Sequence, residues 1–133
     1  SSDLTDSINE WDYDIYYSKW ENNQYQEPVR MDSAVNSDEF ECDPFISPNE
    51  DYLIFSSSRP GGFGHGDLFI SFKNPDGSWI KAINMGNVIN SENHEFCPFV
   101  SRDGKYLFYT SGGDIYWVDS EIINDLHRTD LNL

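Results

Sequence analysis

The chain has 133 residues, with 24 acidic against 8 basic side chains, a formal charge of −16 and a pI near 4.1. At about 150 residues per domain that length bounds it to one compact core. The charge excludes unassisted binding to nucleic acid or an anionic membrane, because no basic patch displaces counterions. Apolar runs stop at four residues, as in Tyr52-Leu53-Ile54-Phe55 and Ile115-Tyr116-Trp117-Val118, whereas a membrane-spanning helix takes about 20. The first ten residues lack the basic start and apolar stretch of a signal peptide, and a processed or truncated chain reads the same way.

Aromatic residues make up 16% of the chain. Together with β-branched residues they fall in short runs separated by Gly, Pro, Asn, Asp and Ser, which predicts an all-β fold. In chain order, Asp14-Ile15-Tyr16-Tyr17-Ser18 opens a first pair of strands that ends at Met31. Pro44-Phe45-Ile46-Ser47, strand A, turns at Pro48-Asn49-Glu50 into strand B at 52–57. A Gly-rich loop at 59–66 leads to strand C at 67–72, and Asn74-Pro75-Asp76-Gly77 turns into strand D at 79–85. Pro's fixed φ and Gly's freedom set that turn, and Asp103-Gly104 supplies the positive φ of a tight hairpin. A second A–B–C set runs from Pro98 to Val118. Behind Asp119-Ser120-Glu121, the spacing of Ile122, Ile123 and Leu126 predicts a short C-terminal helix over 119–126.

These elements repeat. Val35-Asn36-Ser37-Asp38-Glu39-Phe40-Glu41-Cys42-Asp43-Pro44-Phe45-Ile46-Ser47 lies over Ile89-Asn90-Ser91-Glu92-Asn93-His94-Glu95-Phe96-Cys97-Pro98-Phe99-Val100-Ser101 at an offset of 54. The same offset carries Tyr25 onto Trp79 and Met31 onto Met85. Asp14-Ile15-Tyr16-Tyr17, Asp67-Leu68-Phe69-Ile70 and Asp114-Ile115-Tyr116-Trp117 are three copies of one strand start. A four-stranded unit of about 40–50 residues in tandem is the signature of a β-propeller blade. The stretch Pro-Phe-Ile-Ser-Pro-x-x-x-Tyr-Leu-x-Phe-Ser-Ser-x-Arg-Pro-Gly-Gly-x-Gly-x-x-Asp-Leu-Phe, residues 44–69, resembles the TolB-type, WD40-like (PD) repeat of bacterial envelope propellers, as does Ser101-Arg102-Asp103-Gly104-Lys105-Tyr106-Leu107-Phe108-Tyr109. The resemblance covers residues 12–118. Asn49-Glu50-Asp51 departs from the Asp-Gly-Lys usual at the A–B turn, and Gly112-Gly113 shortens the last B–C loop.

Residues 1–31 are read as the C and D strands of one blade, 32–85 as a whole blade, 86–118 as the A, B and C strands of the last, and 119–133 as a helical tail. Ser1-Ser2 sits where Ser56-Ser57 ends strand B in the next unit. Nine strands do not close a ring of at least about four blades. The expectation is a C-terminal part of a six-bladed propeller whose missing blades come from a longer chain or from oligomerisation.

Because A to D alternate in direction, D–A and B–C connections share one end of the blades. With strand A innermost, Glu41, Asp43, His94 and Glu95 would stand at the mouth of the channel, joined by Arg59 and His65 of the Gly-rich loop; these six are the candidate ligand-binding residues, and Trp11-Asp12-Tyr13 is the B–C connection of the preceding unit on the same face. Rim carboxylates leave a Ca²⁺ site open, and His65 and His94 a transition metal. No Asp-x-Asp-x-Asp-Gly loop or His pair at ligand spacing marks one, so no cofactor is assigned and solvated carboxylates compete with that reading. Asp14, Asp67 and Asp114 recur as caps for loop N–H groups. No Ser or Cys stands in a recognisable triad, a glycosidase carboxylate pair is not marked out, and Ser101-x-Asp103-Gly104, similar to the sialidase Asp-box, lacks its spacing. Cys42 and Cys97 fall at adjacent repeat positions facing opposite ways, against a disulfide. Arg59-Pro60-Gly61-Gly62 lacks the Lys-Ser/Thr and helix of a phosphate loop. Trp20, Tyr25, Trp79 and Trp117 could stack on a sugar, but recurrence of Tyr25 and Trp79 favours packing between units.

The resemblance implies a non-enzymatic module, periplasmic or extracellular, that binds a protein or glycan partner at an acidic, aromatic mouth. The alternative is a glycan-active lyase or hydrolase using His94, Glu95 and Glu41.

Overall fold

The computed structural model of the chain describes residues 13–131; the expectations for Ser1, Ser2, Trp11, Asp12 and the last two residues fall outside that range. The chain forms small antiparallel sheets in chain order, followed by one C-terminal helix. In the first, β1 (Tyr16–Tyr17) pairs with β4 (Val29–Arg30), Tyr16 opposite Arg30. Between them β2 (Trp20–Glu21) and β3 (Gln24–Tyr25) form a hairpin that the sequence reading did not foresee. Asn22 and Asn23 turn it with φ of 56° and 62°, the positive values that a two-residue turn demands and asparagine tolerates. This hairpin carries Tyr25 into solvent, against Trp20 at 4.8 Å, so Tyr25 does not pack as its repeat partner Trp79 does against the core.

The second sheet runs in sequence order: β5 (Glu41–Ile46), β6 (Tyr52–Ser57), β7 (Asp67–Phe72) and β8 (Ile83–Asn84). The third contains β9 (Glu95–Val100), β10 (Tyr106–Ser111) and β11 (Asp114–Asp119). Strands of type A start three residues before the expected Pro44 and Pro98. Proline cannot donate to the ladder, and each proline is absorbed in a bulge: between Cys42↔Ser56 and Phe45↔Ile54 two residues oppose one, and the same slip falls between Phe96↔Thr110 and Phe99↔Phe108. Asp43 and Cys97, the residues before the prolines, take φ of 52° and 53°.

The alternation of side chains builds two cores. Leu53, Phe55 and Phe69 face the first sheet, packing with Ile15, Met31 and Val35. Ile54, Leu68, Ile70 and Phe72 face the third sheet, packing with Val100, Leu107 and Tyr109, and β9 lies against β5, β6 and β7. The helix α1 (Glu121–Leu131) closes the second core with Ile122, Ile123 and Leu126. It begins two residues later and ends five later than the apolar spacing implied. Asp119 receives the Glu121 N–H at its start, Arg128 pairs with Glu121 and Asp125, and His127 stacks on Phe72 at 4.4 Å.

Candidate functional site

The turns that precede β5 and β9 fold alike. Val35 and Asn36 donate their N–H groups to the Asp32 carbonyl, and Ile89 and Asn90 donate theirs to Gly86. Each turn delivers a serine to a glutamate four residues on. Glu41 accepts from Ser37 N (2.8 Å), Ser37 Oγ (2.5 Å) and Ser57 Oγ (2.8 Å). Glu95 accepts from Ser91 N (3.0 Å), Ser91 Oγ (2.6 Å) and Ser111 Oγ (2.6 Å). Both glutamates are fully buried. The sequence reading placed them in open connections at a channel mouth; the structure places them at the first positions of strands, their oxygens occupied in tying a turn to the far end of the neighbouring strand. The bulge is the physical reason, since it starts the strand early enough to include them.

Arg59 is also drawn into the scaffold. Its Nε donates to Ser57 Oγ (2.9 Å), its Nη2 to the Val35 carbonyl (2.5 Å), and it approaches Glu41 at 3.3 Å. The guanidinium lies 4.5 Å from the Phe69 ring centre and 5.4 Å from that of Phe55. Burial lowers its pKa, and the adjacent Glu41 works against that. Arg59 therefore joins the first turn to the second sheet. Asp67 does what the cap reading expected, accepting from Phe63 N (2.7 Å) and Asn84 Nδ2 (3.0 Å). Asp14 pairs with Arg30 at 2.7 Å, and Asp114, on the shortened loop, is exposed.

The remaining candidates meet at the same end. His94 is half-buried, its ring seated where a Gly66 side chain would stand. Its Nε2 lies 3.3 Å from Ser56 Oγ, but that hydroxyl is buried and donates to the Glu95 carbonyl at 2.7 Å. Phe40 and Phe96 flank the imidazole at 6.4 and 5.2 Å, and Tyr13 meets Phe40 at 6.4 Å. Sequence reasoning missed this aromatic cluster, although Phe40 and Phe96 stand beside residues it singled out. Exposed Asp38, Glu39 and Glu92 adjoin it in sequence, and His65 is exposed on the Gly-rich loop. Asp43 accepts from Cys97 N (3.2 Å) and Cys97 Sγ (3.4 Å), linking the second sheet to the third. Both cysteines are free. Burial first and then Asp43 push the Cys42 thiol up to about 11, and the same two causes raise Cys97. Among the described residues no three His, Cys, Asp or Glu side chains converge as a metal would need.

A groove of about 1170 Å³ opens at the opposite end, between the first and second sheets, lined by Tyr16, Tyr17, Trp20, Ile46, Leu53 and Trp79. It could not be read from the sequence, because the spacing between two sheets makes it. No family model matches the chain, and the comparisons with curated proteins and with solved structures return no similar protein.

Proposed function

We propose that the β1–β4 pair, the β5–β8 sheet and the β9–β11 sheet belong to consecutive blades of a TolB-type β-propeller, and that the protein is a non-enzymatic recognition module of the bacterial cell envelope. The repeated sheet, with its strand order, proline bulge and Ser–Glu tie, supports the blade reading. The groove supports it too: Ile46 is exposed there, whereas its repeat partner Val100 is buried against β6 and β7. The observation that carries the binding role is the cluster Tyr13–Phe40–His94–Phe96, with carboxylates beside it that the scaffold does not consume. An aromatic surface ringed by acid recognises a protein segment that presents basic side chains, apolar contact giving affinity and charge giving partner choice.

The test is titration with a lysine-rich peptide carrying one aromatic residue, and with a neutral hexasaccharide, followed by NMR. The expected result is perturbation at Phe40, His94 and Phe96 by the peptide, weakened about tenfold or more between about 50 and 500 mM salt and again by Phe40→Ala. Binding of the saccharide there, or no perturbation by either probe, overturns the reading.

A further inference from the structure

The outer strand of the second sheet is held by more than its ladder. Leu68 donates its N–H to Asn90 Oδ1 (2.7 Å), while its carbonyl accepts from Asn90 Nδ2 (3.0 Å) and from Met85 N (3.0 Å). The first sheet repeats this arrangement atom for atom: Ile15 N donates to Asn36 Oδ1 (2.8 Å), and its carbonyl accepts from Asn36 Nδ2 (3.0 Å) and Met31 N (3.0 Å). In both, a strand followed by Met-x-x-x-(Val/Ile)-Asn pairs with the edge, turns back, clamps one residue with its asparagine and lays its Met and Val or Ile into the core.

Ile115 occupies the third copy of the clamped position, and among the described residues no asparagine or methionine clamps it. Thr110↔Ile115 has the register of Ser56↔Leu68, so the N–H and carbonyl of Ile115 point away from β10. Ile115 is 75% and Trp117 62% exposed, whereas their counterparts Leu68 and Ile70 are both 0%. Two occupied copies within one molecule define what fits the third. An edge with unpaired donors and a bare apolar face is the condition for strand addition.

We propose that β11 is a docking edge for an incoming strand of the type apolar-x-Met-x-x-x-(Val/Ile)-Asn, belonging to a further repeat unit, and that the asparagine clamp on Ile115 selects it. The Met and Val or Ile of that strand would cover Ile115 and Trp117, and its backbone would complete a fourth strand. This inference rests on the repeat-unit reading, through the clamps of the first two sheets and the exposure of β11, and not on the loop-face binding role, so each fails separately.

The experiment adds a synthetic peptide of residues 81–91 to the whole chain, with readouts in NMR shifts and amide exchange along β11. The expected result is saturable binding that protects the Ile115 amide and shifts the Trp117 indole, weakened about tenfold when the peptide carries Asn90→Ala and lost in the chain variant Ile115→Pro, which deletes the outward N–H without taking a bond from β10. The peptide variant leaves the chain intact, so the test does not depend on the folding of Ile115→Pro. Equal binding of the two peptides, binding outside β11, no saturable binding, or self-association of the chain that already buries Trp117 each overturns the proposal.

Discussion

Replacing Glu95 by alanine separates a scaffold role from a ligand role for the repeated glutamates. The carboxylate is fully buried and accepts from Ser91 N, Ser91 Oγ and Ser111 Oγ. Hydrogen bonds to a charged acceptor contribute about 1.5–3 kcal/mol each, and a buried donor left unpaired costs about 1–3 kcal/mol. Ser91 Oγ lies 3.4 Å from Ser111 Oγ, so the two hydroxyls can recover one bond between them. The net loss expected is about 3–5 kcal/mol, a large share of the 5–15 kcal/mol typical of a domain, with a fall in Tm of about 10–15 °C. Glu95→Gln, which keeps one carbonyl but points an NH₂ at donors, should cost about half as much. Urea unfolding followed by tryptophan emission and by circular dichroism measures both variants, and an unchanged m-value shows that the difference lies in the folded state. A loss below about 1 kcal/mol for Glu95→Ala would refute the scaffold reasoning and return Glu95 to the candidate ligand residues.

Two further outcomes follow from the same region. Arg59→Met leaves Glu41 buried without its cation and removes the bond to the Val35 carbonyl, so it should destabilise the chain by about 2–4 kcal/mol; Arg59→Lys should recover little, since one ammonium cannot replace the fork that reaches Ser57 and Val35. Equal stability of Arg59→Lys and wild type in urea unfolding would contradict this. Cys42, with its thiol pushed up to about 11, should be alkylated at pH 8 about 100-fold more slowly than an unperturbed thiol, because only the thiolate reacts. Mass spectrometry after timed iodoacetamide treatment should find Cys97, the exposed thiol, modified first; modification of Cys42 ahead of Cys97 would show that the seat between Asp43 and Ser56 is looser than the structure has it.

The strands were legible because their causes are local. Alternating apolar residues, Pro75-Asp76-Gly77 and Asp103-Gly104 mark where the chain extends and where it turns, and a repeat of 54 residues sets the order of the two larger sheets. The β2–β3 hairpin was missed, because Asn22-Asn23 between Trp20-Glu21 and Gln24-Tyr25 is its one local signal and its four strand residues carry no period to draw attention. The start of α1 is set by Asp119 and its length by Arg128, which the apolar spacing of Ile122, Ile123 and Leu126 does not encode.

The site was less legible, because its chemistry depends on which partners the fold brings together. An excess of acidic residues made Glu41 and Glu95 look like a charged mouth, yet Glu41 meets its donors on Ser37, Ser57 and Arg59, and Glu95 its donors on Ser91 and Ser111, only once a bulge at proline and a distant serine are in place. Arg59 was read as a candidate ligand-binding residue and is enclosed by Phe69, Val35 and Glu41, 10 to 24 positions away. His94 acquires its meaning from Phe40 and Tyr13, which belong to the two preceding units. Composition and repeat by themselves determined an all-β chain of recurring units with a terminal helix, since turn chemistry and side-chain alternation act over a few residues. Only the tertiary structure decided which charges are consumed and which strand edge is left open, because burial and hydrogen bonding are settled between units far apart in the chain.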